Sequence, residues 1–171
     1  MLHEGCGEKM DRAKAELHFL CGKIAAGKST LSRSLAARHR AVILSEDDWL
    51  HILYSEELRT IPDYLRLSTR LKQAVAPHVL KLLSAGVTVI LDFPANTVEQ
   101  RRWMRALADS SAVPHTLHYL DVQDEVCKAR LRRRNVAGDH NFKVTDAQFE
   151  QITRHFVAPT AEEGFNIVVH T

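Results

Sequence analysis

The amino-acid sequence predicts a single α/β domain built around a mostly parallel sheet. Strand-like apolar runs alternate with helical patterns along the chain, which favours parallel strands joined by crossover helices. One apolar run leads through a glycine-rich turn directly into a helical pattern. The chain has 171 residues, of which 45% are hydrophobic and 26% charged, so it is long enough for one well-packed core. It contains no internal repeat, linker or low-complexity stretch.

The order of the elements follows from the apolar periodicity. Apolar runs predict five strands, near residues 16–21, 41–44, 87–91, 115–120 and 167–169. Helical patterns predict helices over about 28–39, 63–85, 97–108, 121–134 and 145–156, with a short helix following residues 45–48.

Local residues justify the helix boundaries. Basic residues 38–40 suit the negative end of the first helix. Thr97 and Gln100 form a capping-box pattern, and Asp121 is expected to cap the next helix. Two further signals bound the long helix over 63–85, where Pro62 marks a break before it and Gly86 is expected to end it. Pro77 is expected to kink that helix.

A phosphate-binding loop is the most specific motif. Residues 22–29 read Gly-Lys-Ile-Ala-Ala-Gly-Lys-Ser, between a strand and a helix, which is the context this motif requires. Glycines let the main chain approach phosphates, the lysine adds a positive charge, and the serine hydroxyl is a Mg²⁺ ligand. The predicted nucleotide-binding residues are Gly22, Lys23, Ile24, Ala25, Ala26, Gly27, Lys28, Ser29 and Thr30.

Carboxylates follow two of the predicted strands. Asp92 closes a fully apolar strand, and Asp47 and Asp48 follow the second strand. Ligands bind beyond the carboxyl ends of parallel strands, so Asp92 is predicted to support Mg²⁺ together with Ser29. Either Asp47 or Asp48 is suited to accept the proton of an acceptor hydroxyl, and Asp47 is our choice. Helix capping is the alternative role for these aspartates.

Two groups of arginines lie on predicted helices. Arg130 and Arg134 share one helix face and are predicted to stabilise a transferring phosphoryl group, with a mobile lid around residues 125–145. Arg101 and Arg102 begin the helix after the third strand and are predicted to bind substrate. A solvated basic face is the alternative for each of these residues.

Charge and cysteine usage set broader expectations. The net charge of +2 is too small to indicate a nucleic-acid partner. Three cysteines without paired spacing favour a reducing, cytoplasmic location. The ten histidines show no grouping, and His3 with Cys6 is too small a set for a metal site. Residues 1–15 are polar and are expected to form a loose tail preceding the domain over 16–171, with no signal peptide and no membrane-spanning run.

Taken together, these motifs resemble the small P-loop kinases grouped as AAA-type ATP-binding kinases. Relatives in that group are the polynucleotide 5′-hydroxyl kinase domain, chloramphenicol phosphotransferase, gluconate kinase and zeta toxins. The resemblance covers about residues 16–170. It depends on the loop, the Asp47–Asp48 pair, Asn96 with the Arg101–Arg102 pair, and the two arginines of the lid helix.

The resemblance implies a three-layer fold with five parallel strands ordered 2-3-1-4-5 and ATP on the loop. It implies that Asp47 is the base, that Lys28, Arg130 and Arg134 stabilise the phosphoryl group, and that residues 156–160 border the adenine. Phe93-Pro94 is less polar than the corresponding polynucleotide kinase segment. The phosphatase domain of bifunctional polynucleotide kinases is absent from this sequence, so 3′-phosphatase activity is not implied.

Several functions remain open on the sequence alone. An ATP-dependent kinase acting on a hydroxyl of a small molecule is the leading hypothesis. A nucleic-acid 5′-hydroxyl kinase and a zeta-like sugar-nucleotide kinase are alternatives within the same class. A nucleotide-driven ATPase or switch is an alternative from another class, although the chain has neither an Asn-Lys-x-Asp guanine motif nor an ABC-type signature.

Overall fold

The structure is a computed structural model that describes residues 14–137 and 144–171. Within these residues the strands are β1 (Leu17–Cys21), β2 (Val42–Ser45), β3 (Val89–Asp92), β4 (His115–Leu120) and β5 (Ile167–His170). The α-helices are α1 (Lys28–His39), α2 (Glu46–Tyr54), α3 (Ile61–Ser84), α4 (Val98–Ser111), α5 (Asp124–Ala137) and α6 (Asp146–Thr153). A short 3-10 helix covers Ala161–Glu163.

All five strands are parallel and are ordered β2-β3-β1-β4-β5, as the resemblance implied. The buried strand β1 is central and pairs with β3 on one side and β4 on the other. Ser45 at the end of β2 lies opposite Asp92 at the end of β3. The carboxyl ends of β1, β2 and β3 therefore meet at one edge of the sheet, where the predicted site residues begin.

Helices cover both faces of the sheet and give three layers. On one face, Phe19 and Leu91 pack with the apolar stripe of α3 and with Met104 of α4 in the main core. On the other face, Leu20 packs against Leu35 of α1. Leu120 packs there in a second cluster that includes residues of α5 and α6. Strand side chains alternate between faces, so each helix layer receives every second residue of a strand.

Capping explains most of the helix starts. Thr97 and Gln100 form the predicted capping box of α4, and Thr60 with Asp63 forms one at α3. The prediction that Pro62 precedes the long helix is wrong. Pro62 lies in the first turn of α3, where the missing N–H of proline is tolerated. Gly86 follows the end of α3 with a φ of 83°, as expected of a residue that terminates a helix.

Other predicted boundaries are wrong by a few residues. Asp121 does not cap α5, because α5 begins at Asp124; instead its carboxylate accepts a hydrogen bond of 2.9 Å from the Tyr119 hydroxyl. β3 begins at Val89 because the amides of residues 86 and 87 still bond to carbonyls of α3. The helix predicted over 145–156 ends at Thr153, and the one over 97–108 continues to Ser111.

The predicted tail and lid lie partly outside the described residues. Ala15 is buried in the main core, so the predicted boundary of the tail at residue 15 is too late. Residues 1–13 and 138–143, which include the predicted lid glycine Gly138, lie outside the described residues. None of the described helices has the length and apolar character needed to cross a bilayer.

Replacing Leu67 tests the main core. Leu67 is fully buried on α3, so Leu67→Ala removes apolar contacts and leaves a cavity. We expect a loss of about 2–5 kcal/mol in the free energy of unfolding, measured by urea denaturation. Leu65, two residues earlier on the same helix, is 60% exposed. Leu65→Ala should change stability by less than about 0.5 kcal/mol; equal losses in the two variants would contradict this packing.

Candidate nucleotide site

The loop between β1 and α1 has the backbone of a phosphate cradle. Gly27 has a φ of 112° and Ala25 a φ of 59°, both in the region that favours glycine. Gly22 is also constrained by space, because a Cβ there would lie 3.1 Å from Leu120 Cβ and from the Leu120 carbonyl oxygen. The glycine spacing of the sequence therefore serves both the unusual dihedral angles and the close approach of β4.

The loop leaves main-chain donors without partners. The amides of Gly27, Lys28 and Ser29 have no hydrogen-bond acceptor among the described residues, whereas the amides of Thr30 and Leu31 donate to the Gly27 carbonyl. Free amides at the start of a helix, together with the positive end of the helix dipole, attract anions. The sequence prediction of an anion-binding turn agrees with this geometry.

Lys28 lies over the same loop. Its Nζ donates to the carbonyls of Gly22 at 2.7 Å and of Lys23 at 2.9 Å. Burial lowers the pKa of Lys28, while the nearby carboxylates of Asp92 and Asp47 raise it. The ammonium therefore folds back onto the loop among these acidic groups, and its two carbonyl acceptors are ones that a phosphate oxygen can replace.

Asp92 faces the loop from the end of β3. Burial raises the pKa of Asp92, whereas the charge of Lys28 and hydrogen bonding with the Ser29 hydroxyl lower it. Asp47 and Asp48 also raise the pKa of Asp92, so the three carboxylates lie within electrostatic reach of one another. Structure and sequence agree in bringing Ser29 together with Asp92, and oxygen ligands of this kind fit Mg²⁺.

Neither Asp47 nor Asp48 caps α2. Ser45 is the N-cap, and its hydroxyl accepts a hydrogen bond of 3.3 Å from the Asp48 amide. Both aspartates lie exposed in the first helical turn, where the helix dipole favours negative charge. Their carboxylates are therefore not occupied by the capping role that the sequence left open.

Glu46, which sequence reasoning missed, anchors this turn. It is fully buried and accepts hydrogen bonds from Ser68 at 2.6 Å and from Tyr64 at 2.8 Å. Lys72 Nζ lies 3.8 Å away. The signal was the polar series Tyr64, Ser68 and Lys72, spaced i, i+4 and i+8 along one side of α3, since such a series needs a polar partner where the helix is buried.

Of the four arginines of α5, the sequence predicted phosphate contacts for Arg130 and Arg134, and Arg130 reaches the loop. Arg130 Nη1 donates to the Ala26 carbonyl at 2.8 Å. Arg134 Nε is buried and has no hydrogen-bond partner among the described residues. Burial lowers the pKa of Arg134, and the charge of Asp47 raises it. An unpaired buried guanidinium nitrogen within electrostatic reach of Asp47 is a donor available to an anionic ligand.

Arg101 corrects a sequence prediction. Its side chain is fully buried, and its guanidinium pairs with Glu163 at 2.6 and 2.8 Å. It also donates to the carbonyls of Ala95 at 2.9 Å and Val157 at 2.7 Å. These partners leave it a structural role in place of the predicted substrate contact. Arg102 is exposed and pairs with Glu99 at 3.5 Å on its own helix.

The segment after α6 lies beside the loop. The Phe156 ring stacks on Tyr119 with 6.1 Å between centroids, and Lys23 Nζ lies 5.8 Å from the Phe156 ring. Lys23 also pairs with Asp124 at the start of α5. The Val157 amide donates to the Asn96 carbonyl at 2.8 Å, which ties this segment to the start of α4. Its contact with adenine stays a prediction.

Comparison with known families agrees with this geometry. A family model described as AAA domain matches residues 17–159, which span the strands from β1 to β4 and the whole loop. The chain belongs to this AAA domain family. No curated protein sequence matches the chain at a significant level.

Several solved structures of other proteins have a similar fold and superpose on most of this chain. A protein from Chloroflexus aurantiacus, provisionally described as a kinase, is 19% identical with a TM-score of 0.71, covering 92% of this chain and 88% of its own. The Mycobacterium tuberculosis APS kinase CysC, in complex with AMPPNP and APS, is 15% identical with a TM-score of 0.62, covering 91% and 88%. A chain of the Pnkp1/Rnl/Hen1 RNA repair complex is 19% identical with a TM-score of 0.65, covering 82% of this chain and 43% of its own. These likenesses show a P-loop kinase fold.

Replacing Arg101 separates a structural role from a substrate contact. Removing one partner of a buried, hydrogen-bonded ion pair leaves the other uncompensated. Arg101→Ala should therefore lower the free energy of unfolding by about 3–5 kcal/mol, measured by urea denaturation. Arg102→Ala, on the exposed neighbour, should change it by less than about 0.5 kcal/mol.

The pH dependence provides a control for the Arg101 measurement. Burial opposes ionisation of Glu163, but hydrogen bonds from Arg101 and the Thr160 amide outweigh it and hold the pKa of Glu163 below its ordinary 4.5. A lowered carboxyl pKa stabilises the folded state above pH 4.5, and this contribution disappears as the pH falls through the folded-state pKa. The stability difference between wild type and Glu163→Gln should shrink below pH 4.5; a constant difference would contradict the ion pair.

Proposed function

We propose that this protein is an ATP-dependent kinase that transfers the γ-phosphoryl group to a hydroxyl of a small-molecule acceptor. The observation that carries the proposal is the convergence of unpaired loop amides, Lys28 and the unpaired Arg134 nitrogen on an edge that also holds Asp92 and Asp47. Phosphoryl transfer depends mainly on positioning and charge stabilisation, which these groups supply together.

The donor set fits ATP with Mg²⁺. The amides of residues 27–29 would hold phosphate oxygens, with Lys28 exchanging its two carbonyl acceptors for them. Ser29 and Asp92, which already interact, would hold Mg²⁺ between the helix start and β3. The metal ion neutralises charge on the phosphates when bound.

Asp47 would act as the base. Its carboxylate is exposed, is not used in capping, and interacts electrostatically with Lys28, Asp92 and Arg134. The acceptor oxygen would bond to the γ-phosphorus as the bond from that phosphorus to the β-bridging oxygen breaks, and the hydroxyl proton would pass to Asp47. Arg130 and Arg134 would stabilise the charge on the transferred group.

A nucleic-acid acceptor is the second candidate. The fold likeness to a chain of the RNA repair complex and the resemblance to the polynucleotide kinase domain favour it. The net charge of +2 speaks against a continuous basic track for a phosphate backbone. Arg102 remains the exposed arginine of α4 that is suited to such a contact.

ATP consumption, measured with and without candidate acceptors, tests this proposal. A panel of hydroxyl compounds, 5′-hydroxyl oligonucleotides and water alone separates the classes. Slow hydrolysis in water with strong stimulation by one small compound, and a product heavier by one phosphoryl group, would support the proposed kinase. Stimulation by oligonucleotides alone would favour the second candidate, and equal turnover under all conditions would indicate an ATPase or switch.

Lys28→Ala tests the phosphate cradle. The variant loses the ammonium that lies over the loop, so we expect nucleotide binding or turnover to fall at least about 100-fold. Calorimetric titration with ATP and Mg²⁺ measures the binding, and Lys81→Ala, at an exposed position near the end of α3, is a lysine control. Wild-type turnover in Lys28→Ala would refute the assignment of the loop.

Asp47→Asn tests the base. The variant keeps the size of the side chain but cannot accept the proton, so transfer should fall by about 10²–10⁴-fold while ATP affinity is retained. Asp109→Asn on α4, an exposed carboxylate away from the loop, should transfer at the wild-type rate.

The comparison with Asp48→Asn completes this test. If Asp48→Asn alone loses transfer, the base is Asp48 and the choice of Asp47 is wrong. A matching loss of ATP affinity in Asp47→Asn would place Asp47 at the metal or in the fold.

A further inference from the structure

A row of histidines crosses the sheet outside the nucleotide site. His18 on β1 has Nδ1 3.1 Å from Nε2 of His118 on β4, and His118 Nδ1 lies 3.0 Å from Nε2 of His170 on β5. His18 and His118 are buried. Sequence analysis detected no grouping of the histidines, because these three come from strands that are adjacent only in the folded sheet.

The row ends on a group of three metal-ligating side chains. Glu16, His18 and His39 each offer one ligand atom, and these atoms all lie within 4.8 Å of one another. Glu16 Oε2 lies 3.2 Å from His18 Nε2 and 3.8 Å from His39 Nδ1. The ligand set of two imidazoles and one carboxylate is typical of sites for zinc and related ions.

This group lies away from the phosphate cradle. His39 is the last residue of α1, whereas Lys28 is its first, so one helix separates the two sites by about 17 Å. Glu16 precedes β1, and its backbone is held by two hydrogen bonds, from its amide to Thr88 Oγ1 at 3.2 Å and from the Val89 amide at 3.0 Å. One ligand therefore comes from β1, one from the residue that precedes it, and one from the end of α1.

The Nε2 atom of His18 is a buried, unpaired nitrogen within this group. His18 is 3% exposed, and this nitrogen has no hydrogen-bond partner among the described residues. Glu16 Oε2 is 3.2 Å away, so this nitrogen and the carboxylate are in direct contact. A carboxylate oxygen is an acceptor only, so a neutral His18 that donates through Nδ1 to His118 would place two lone pairs opposite each other. A cation between them removes that repulsion.

We propose that Glu16, His18 and His39 bind one divalent transition-metal ion, for which Zn²⁺ is the natural probe. A tetrahedral ion about 2.0–2.1 Å from its ligands holds them roughly 3.3 Å apart, close to the separations of 3.2 and 3.8 Å. Glu16 and His39 have side chains 40% and 29% exposed, so the ion has an entry path and an open position for water.

The remaining histidines are suited to orient the metal ligand. A metal-bound imidazole usually donates its other N–H to an acceptor that fixes the ring and its tautomer. With Nε2 of His18 on the ion, Nδ1–H of His18 donates to His118, which can in turn donate to His170.

Zn²⁺ titration of the full-length, nucleotide-free protein against a competing chromophoric chelator tests this proposal. We expect one equivalent of Zn²⁺ to bind, and His39→Ala and Glu16→Gln each to weaken the affinity at least 10-fold. His78→Ala, on the exposed surface of α3, is the matched histidine control and should bind as wild type does. Zn²⁺ should raise the thermal unfolding midpoint of the wild-type protein and of His78→Ala. It should raise the midpoint of the two ligand variants much less.

Substitution with Co²⁺ distinguishes this site from binding by cysteine. The proposed ligands include no thiolate, so the Co²⁺ spectrum should show ligand-field bands without a thiolate charge-transfer band. Wild-type affinity in either ligand variant, a thiolate band, or the absence of one-equivalent binding would each overturn the proposal. All of these readouts are independent of kinase activity, so failure here leaves the proposed function untouched.

Discussion

Unpaired main-chain amides at the start of α1 are the constraint on which the rest of the site depends. The first amides of a helix have no acceptor within the helix, so water or a ligand supplies the missing hydrogen bonds. The loop conformation that creates these donors needs a positive φ at Gly27 and leaves no room for a side chain at Gly22. Lys28 Nζ meanwhile donates hydrogen bonds to two carbonyls of the loop, and these bonds stabilise the loop conformation.

The sheet converts this local constraint into a site. Because β2 and β3 run parallel beside β1, their ends bring Asp92 and the first turn of α2 to the same edge as the loop. Two acidic side chains, Glu46 fully buried and Glu163 half-buried, fix the surroundings. Glu46 ties α2 to α3, and Glu163 with Arg101 ties α4 to the segment that follows α6. The exposed carboxylate of Asp47 is thus carried on a turn that buried hydrogen bonds hold in place.

Local sequence signals predicted the turn after β1 and several helix ends well. The sequence predicted poorly which side chains pair when they are far apart along the chain. The glycine-rich turn between β1 and α1, the capping box at Thr97 and the termination at Gly86 depend on residues a few positions apart, and the backbone shows all three, whereas phosphate binding by the turn stays a prediction. Arg101 was assigned to substrate binding because the sequence alone does not distinguish this buried arginine from its exposed neighbour Arg102. The partner that holds it, Glu163, is 62 residues away along the chain. Sequence showed no grouping of Glu16, His18 and His39 for the same reason, since α1 brings His39 back to the start of β1.

The central claim is that the amides of Gly27, Lys28 and Ser29 bind phosphate oxygens. Backbone amide NMR, followed while a non-hydrolysable ATP analogue is added with Mg²⁺, measures this at the donors themselves. The account predicts large, saturable downfield shifts of these three amide protons, as expected when a free N–H begins to donate to an anion. Saturation of binding with these resonances unmoved would contradict it.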